Sequence, residues 1–377
     1  MKLNRRTFSV AVGASIVGGF SISRAESDGK IVLGQSAAFS GPAAQLGIQF
    51  NQGAKNYFEQ VNNQGGVNKR LIDLRNLDDG YEPERCAENT RKFLKDDVFA
   101  LFGYVGTPTS LAAMPEATKA KAPFIAPFTG AMALRDPFNK YAFHIRASYD
   151  DETSLIVKHL TNLGIKRIGV FDQNDAYGKA GLGGVVQALQ GKNLKTVAEA
   201  SVERNSTDVS DSLKKLLAVN PEAIVQISAY GSSAAFIREA RKAGYGGLFY
   251  NLSFVGTQAL ATELGKDGAG IVISQVMPSP YDTSRPIARE FQEAVKAKGN
   301  GTDANYSSME GYIAARVLVE GLKRAGQKLT RESLITGLES IGNQSFSGFQ
   351  VYLAQNAHVA SRFVDLAMLR GDGRVRT

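Results

Sequence analysis

Short runs of β-branched and apolar residues alternate with stretches of helical periodicity along most of this 377-residue chain. Residues 31–37 (IVLGQSA) read as a buried strand, and Phe50, Ala54, Phe58 and Val61 then recur at three- and four-residue steps, the spacing of one helix face. Gly65-Gly66 closes that helix, since glycine takes the left-handed conformation at a C-terminus without strain. Strands follow at 71–77, 99–103 and 123–127, with helices opening near Pro83 and over 109–121. After 141–146 a second set begins. Strands at 167–171, 194–200, 223–228, 248–252 and 270–275 alternate with helices, one of which puts Val209, Leu213, Leu216 and Leu217 on a single face. Alternation at this spacing predicts parallel sheets with helices on both sides, and two sets predict two sheets.

From residue 284 the rhythm changes. Helices over 286–298, 307–325 and 330–341 succeed one another without a strand, and 348–353 and 363–369 read as strands again. A chain that returns to its first lobe to add helices, and then to its second to add strands, gives that order. The expected fold is α/β: two doubly wound parallel-sheet lobes joined by a hinge crossed near 144, 277 and 344. Residues 26–144 plus 278–343 form lobe 1, and 145–277 plus 344–377 form lobe 2.

Residues 1–25 do not fit either lobe. Arg5-Arg6 precede a Gly/Ala/Ser-rich apolar run, and Ser23-Arg24-Ala25 offers small residues at a cleavage site, the layout of an export signal. Asn4-Arg5-Arg6-Thr7-Phe8 suits the twin-arginine route, with an ordinary secretory leader as the alternative. Cys86 is the only cysteine, so no intramolecular disulfide forms, and no cysteine stands at the cleavage site for a lipid anchor. A soluble periplasmic product is expected. The formal charge of +8 falls to +4 once Lys2, Arg5, Arg6 and Arg24 leave with the signal, and the rest is dispersed. That argues against a nucleic-acid partner, and no later apolar stretch is long enough for stable membrane insertion.

Candidate enzyme chemistry is sparse. No G-x-G-x-x-G follows a strand, and there is neither a phosphate-binding G-x-x-x-x-G-K-[ST] loop nor a G-x-S-x-G elbow. His144, His159 and His358 stand too far apart for a metal-ligand motif. Asp78-Asp79 and Asp150-Asp151-Glu152 are adjacent carboxylates, which turn and helix-cap roles explain. No catalytic residue, metal or cofactor is expected.

What remains is a set of polar, glycine-rich loops at the C-terminal ends of strands, where open α/β sheets bind ligands. Ser40-Gly41-Pro42 follows the first strand, Tyr104 and Thr107 lie in the loop after the third, and Phe128-Thr129-Gly130 follows the fourth. Hydroxyls beside a helix N-terminus suit a small anion. The second set contributes Tyr177, Tyr230 and Ser253 at matching strand ends.

Over essentially its whole length after the signal, the chain resembles the leucine/isoleucine/valine-binding family of type I periplasmic binding proteins. The resemblance rests on Ser40-Gly41-Pro42, Gly65-Gly66-Val67-Asn68, Asp78-Asp79 with Pro83, Gly103 through Thr107, Pro123 through Ala131, Asp175-x-Tyr177-Gly178 and Arg238-x-Ala240-x-x-x-Gly244. It implies a bilobed clamp that carries a solute to the membrane permease of an ABC importer; a sensor for a membrane receptor would share the fold. It also implies that Thr107 and the backbone of 128–130 hold a ligand carboxylate while Tyr177, Tyr230 and Ser253 close from lobe 2. A monomer is expected. Amino-acid-binding relatives carry an acid near the position of Ser253, whereas 251–254 reads Asn-Leu-Ser-Phe here. Burying an ammonium without a partner is costly, so the expected ligand is an amine-free or aromatic carboxylate, with a branched-chain amino acid as the alternative. A disulfide that some relatives form at the positions of Tyr81 and Gly106 is absent.

Overall fold

The computed structural model describes residues 29–299 and 304–376; the export-signal expectation for 1–25 lies outside them. The first half runs β1 (Lys30–Ala37), α1 (Ala44–Asn63), β2 (Leu71–Asp78), α2 (Pro83–Lys95), β3 (Ala100–Phe102), α3 (Thr107–Lys119), β4 (Phe124–Ile125) and β5 (Ala142–Phe143). These strands form one parallel sheet in the order β2-β1-β3-β4-β5. β1 is buried on both faces, which is why it reads as a continuous apolar run rather than an alternating one.

The second half runs α4 (Tyr149–Asn162), β6 (Ile168–Gln173), α5 (Ala176–Gln190), β7 (Ala198–Val202), α6 (Ser210–Leu217), β8 (Ala223–Ile227), α7 (Tyr230–Lys242), β9 (Leu248–Asn251), α8 (Thr257–Leu264) and β10 (Val272–Gln275). The remainder comprises α9 (Pro286–Lys298), α10 (Tyr306–Arg324), α11 (Arg331–Glu339), β11 (Gly342–Phe346), β12 (Phe349–Leu353), β13 (Asp365–Leu369) and β14 (Val375–Arg376). The second sheet has the order β14-β13-β10-β9-β8-β6-β7, parallel from β10 to β7, with β13 and β14 added antiparallel at one edge. In each sheet the strand order reverses beside the first strand, at β1/β3 and at β6/β8. These are the switch points where a crevice opens beyond the strand ends.

The late helices return to the first lobe. α10 lies so close to α1 that a Cβ on Gly53 would meet the Ser308 carbonyl oxygen, and one on Gly311 that of Phe50. One expectation fails at this level. The stretch 344–353, assigned to lobe 2 by sequence, pairs β11 with β12 as a separate hairpin. Its bonds run to the lobe 1 helices: Ser347 accepts from Arg316 of α10, its carbonyl accepts from Ile287 N, and Gln344 accepts from Arg324. Only β13 and β14 join the second sheet. Strand periodicity showed that 348–353 is extended but carried no information about its partner. Among the described residues no helix is long and apolar enough to cross a membrane.

Candidate functional site

Both switch points face one cleft, and the chain crossing from β5 to α4 runs along its floor. In lobe 1 the loop before α3 ends on Gly106, whose φ of 104° favours glycine and whose missing Cβ leaves room for the Tyr81 ring. This turn presents Thr107, buried at the start of α3, with its hydroxyl 2.7 Å from that of Thr129. Backbone bonds from Phe128 N to Tyr104 O (2.7 Å) and from Gly106 N to Phe128 O (3.2 Å) lock the two loops together. Gly130 O accepts from Tyr149 N at 2.9 Å, so the first turn of α4 is held against the same loop.

Aromatic rings from both lobes fill the middle. Phe254 sits with ring centroids 5.8 Å from Tyr81, 5.7 Å from Phe128 and 4.6 Å from Tyr177, and Tyr177 is 5.3 Å from Tyr149. All five side chains are buried. The Tyr149 hydroxyl lies beside Thr107 and Thr129 without a well-formed hydrogen bond, and the Tyr177 hydroxyl also lacks a partner. Burial raises both phenols above their usual range, so each is a neutral donor.

The floor is charged. Arg146, 1% exposed, donates from Nε and Nη2 to the two carboxylate oxygens of Glu310 on α10 at 2.9 and 2.8 Å and stacks 4.2 Å over the Phe128 ring. Its Nη1 is buried without a partner. Glu152 on α4 is fully buried and accepts from Ser253 N (2.8 Å), Ser253 Oγ (3.0 Å) and Ser274 Oγ (2.5 Å). Burial raises the pKa of both acids, while Arg146 and the hydrogen bonds work against it. Burial also disfavours the Arg146 cation, but Glu310 and Glu152 outweigh it and strengthen its hold on the proton. Arg135 lies behind this layer, its Nη2 donating to the carbonyls of Thr129, Arg146 and Ala147.

Of the residues singled out by sequence, Thr107, Phe128, Thr129, Gly130, Tyr177 and Ser253 come together here. Tyr230 lies at the rim, its hydroxyl 3.4 Å from Gln45 N of the opposite lobe. Ser40 is exposed and bonded to Asp78 at 2.5 Å, outside the aromatic cluster. Tyr104 points away from the cleft, packing 4.9 Å from Phe124 in the layer under α2 and α3, where its hydroxyl accepts from Thr90. Only its backbone serves the site.

Arg146, Tyr149, Glu152 and Glu310 were missed, while Phe254 stands beside Ser253 in the strand-end loop 251–254. The run Asp150-Asp151-Glu152 was assigned to capping, and Asp151 does close a capping box with Ser148. Glu152 does not: it reaches Ser253. The loop 251–254 carries no acid of its own, and the acid that reaches Ser253 comes from another element. Among the described residues no group of three or more His, Cys, Asp or Glu side chains is placed to hold a metal.

A family model described as periplasmic binding protein matches residues 30–374. The chain is 34% identical to a possible leucine/isoleucine/valine-binding protein from Rhodopirellula baltica, covering 93% of this chain and 96% of that one with a TM-score of 0.89. It is 33% identical to a substrate-binding periplasmic protein from Ralstonia solanacearum, covering 92% and 99% with a TM-score of 0.87. It is also 22% identical to Leu/Ile/Val-binding protein homolog 8 of Brucella suis over all of this chain and 96% of that protein. The two sheets, the cleft between their switch points and these likenesses agree: the chain belongs to the leucine/isoleucine/valine-binding family of type I periplasmic binding proteins, solute-binding components of branched-chain amino-acid-type ABC transporters.

Proposed function

We propose that this protein is an exported receptor that closes its two lobes around a small carboxylate and presents it to the permease of an ABC importer. One observation carries the reading. Donor groups with no partner of their own — the Tyr149 and Tyr177 hydroxyls and Arg146 Nη1 — are buried in one cleft built by both lobes. Buried donors normally have partners, and a set left open in one cleft suits an anionic ligand that supplies acceptors. In this reading the carboxylate lies against Thr107, Thr129 and Tyr149, and the rings of Tyr81, Phe128, Tyr177 and Phe254 bound its apolar part. Ligand and closure are coupled, because Phe254 and Tyr177 belong to lobe 2 while Tyr81 and Phe128 belong to lobe 1. The aromatic lining favours a flat or apolar group beside the carboxylate.

The test is a thermal-shift screen of the mature protein against small carboxylates with and without an amine. A ligand at about 100 times its Kd stabilises the folded state by roughly 2.7 kcal/mol, a readily measured shift. The expected result is a shift by one class of carboxylate, accompanied by a smaller radius of gyration in solution scattering. Absence of any shift across the panel, or turnover of whatever binds, overturns the reading.

A further inference from the structure

A cavity of about 370 Å³ is walled by two of the hinge crossings. One wall is Ala142 and His144, where the chain passes from β5 to α4; the other is residues 356–359, on the way from the β11–β12 hairpin to β13. The walls are bonded to each other, His144 N donating to the His358 carbonyl at 2.8 Å and Ala360 N to the His144 carbonyl at 2.7 Å. Arg135 and Arg362 also line this space, and Asp136 is the only carboxylate that does. It shares no lining residue with the cavity formed by Arg146, Ser253 and Glu310.

The hydrogen bonds fix where the protons lie. His144 is 2% exposed, and its Nε2 lies 3.1 Å from the Leu134 carbonyl, which only accepts, so Nε2 carries the proton. Burial and the neighbouring Arg135 charge hold the pKa of His144 well below its usual value and keep the ring neutral. Its Nδ1 is therefore a lone pair, buried with no partner. Arg135 offers the opposite. Its Nη2 donates to the carbonyls of Thr129, Arg146 and Ala147, while its Nε–H is buried with no partner. Burial lowers the pKa of Arg135 to about 10, which leaves it a cation at neutral pH. Arg362 is exposed and makes no ion pair among the described residues. His358 is already engaged, with Nδ1 3.0 Å from the Ala142 carbonyl and Nε2 3.1 Å from Glu339.

We infer that this hinge cavity binds a protonated phosphoryl group, of which hydrogen phosphate is the simplest. Its charged oxygens accept from Arg135 Nε and from Arg362, and its P–O–H donates to His144 Nδ1. Sulfate and ionised carboxylates bring the charge without the proton, and set an acceptor against the His144 lone pair. A neutral hydroxyl brings the proton and leaves two guanidinium groups facing a single carboxylate. The site does not depend on which solute the cleft takes, but the two are joined through one side chain. An anion on Arg135 Nε draws on the same guanidinium that holds the carbonyls of Thr129, Arg146 and Ala147 behind the cleft.

The experiment is isothermal titration of the mature protein at neutral pH with sodium phosphate and with sodium sulfate at matched ionic strength. Phosphate is expected to bind saturably, and sulfate at least roughly tenfold more weakly, the cost of a buried acceptor left unmatched. Arg362→Ala is expected to weaken phosphate a few-fold without moving the urea midpoint, because the side chain is exposed. Thr107→Val, in the cleft, is expected to leave phosphate binding unchanged. His144→Phe keeps a ring but no lone pair, and should bring sulfate level with phosphate. If that variant does not fold, the contrast between Arg362→Ala and Thr107→Val still locates the site. No saturable binding of phosphate overturns the inference and leaves a bridging water as the partner of Arg135 and His144. Equal affinity for sulfate in the wild type overturns it too, as does phosphate binding that is lost in Thr107→Val and kept in Arg362→Ala, which puts the anion in the cleft. None of these outcomes bears on the receptor reading, which the carboxylate screen decides.

Discussion

Arg146 and Glu310 form a buried ion pair whose side chains are 1% and 4% exposed. Desolvating two charges cancels much of their attraction, so the pair is worth little against an apolar replacement, but removing one partner strands the other. Arg146→Met is therefore expected to cost about 3–5 kcal/mol in urea denaturation, and adding Glu310→Leu to recover a large part of that. Both variants should still fail to bind ligand, because Arg146 Nη1 is one of the open donors. A double variant as unstable as the single one would show that the pair is stabilising in itself. At this scale the sequence was half legible. Thr107, Phe128 and Thr129 were visible because strand-end loops have a fixed place in an open α/β sheet. Glu152 was not, because three consecutive acids look alike in sequence while successive helix positions turn by about 100°. Asp151 thus caps the helix, and Glu152 enters the cleft from the same turn.

Between elements, a polar clasp spans the rim of the cleft. Arg204, after β7, donates to Glu82 at the start of α2 at 2.8 Å, and Asn205 reaches Glu82 Oε1 at 2.8 Å and the Gly80 carbonyl at 3.1 Å. Deeper in, Gln173 at the end of β6 donates to the Tyr81 hydroxyl at 3.2 Å. These bonds join lobe 1 to lobe 2 and involve none of Arg146, Tyr149 and Tyr177. Arg204 and Glu82 are 23% and 39% exposed, so screening keeps their contribution to roughly 0.2–1 kcal/mol. Glu82→Ala is expected to speed ligand dissociation by a few-fold with little change in association, an effect that shrinks in high salt. An unchanged dissociation rate would remove the clasp from the closing mechanism. No pattern in 80–82 or 204–205 announces it, since polar loop residues are common and their partners lie more than 120 positions away. The same long reach hid the partner of the β11–β12 hairpin. Sheet and helix identities, by contrast, follow from local periodicity, which needs no partner to be read.

For the molecule as a whole, pH acts on the loops that frame the cleft. Asp79 is buried at the end of β2, where it accepts from Ser36 at 2.7 Å and from Tyr81 N at 2.8 Å, and burial pushes its pKa up to about 6. Its unfolded value is about 3.9. Between those values the folded chain holds a proton that the unfolded chain has lost, so the stabilisation is full below pH ~4 and is lost as pH rises through about 6. For this largely buried group the loss amounts to roughly 2–3 kcal/mol. Its neighbour Asp78 runs the other way. Although burial opposes it, bonds from Ser40, Phe39 and Gly80 lower its pKa to about 2, and its contribution is lost only as pH falls toward that value. Asp79→Asn keeps an acceptor for Tyr81 N and an amide for Ser36, so it should match wild type near pH 4 and exceed it near pH 7.5 in chemical denaturation. Parallel stability curves for the two proteins from pH 4 to pH 8 would show that the carboxyl of Asp79 titrates alike in the folded and unfolded states.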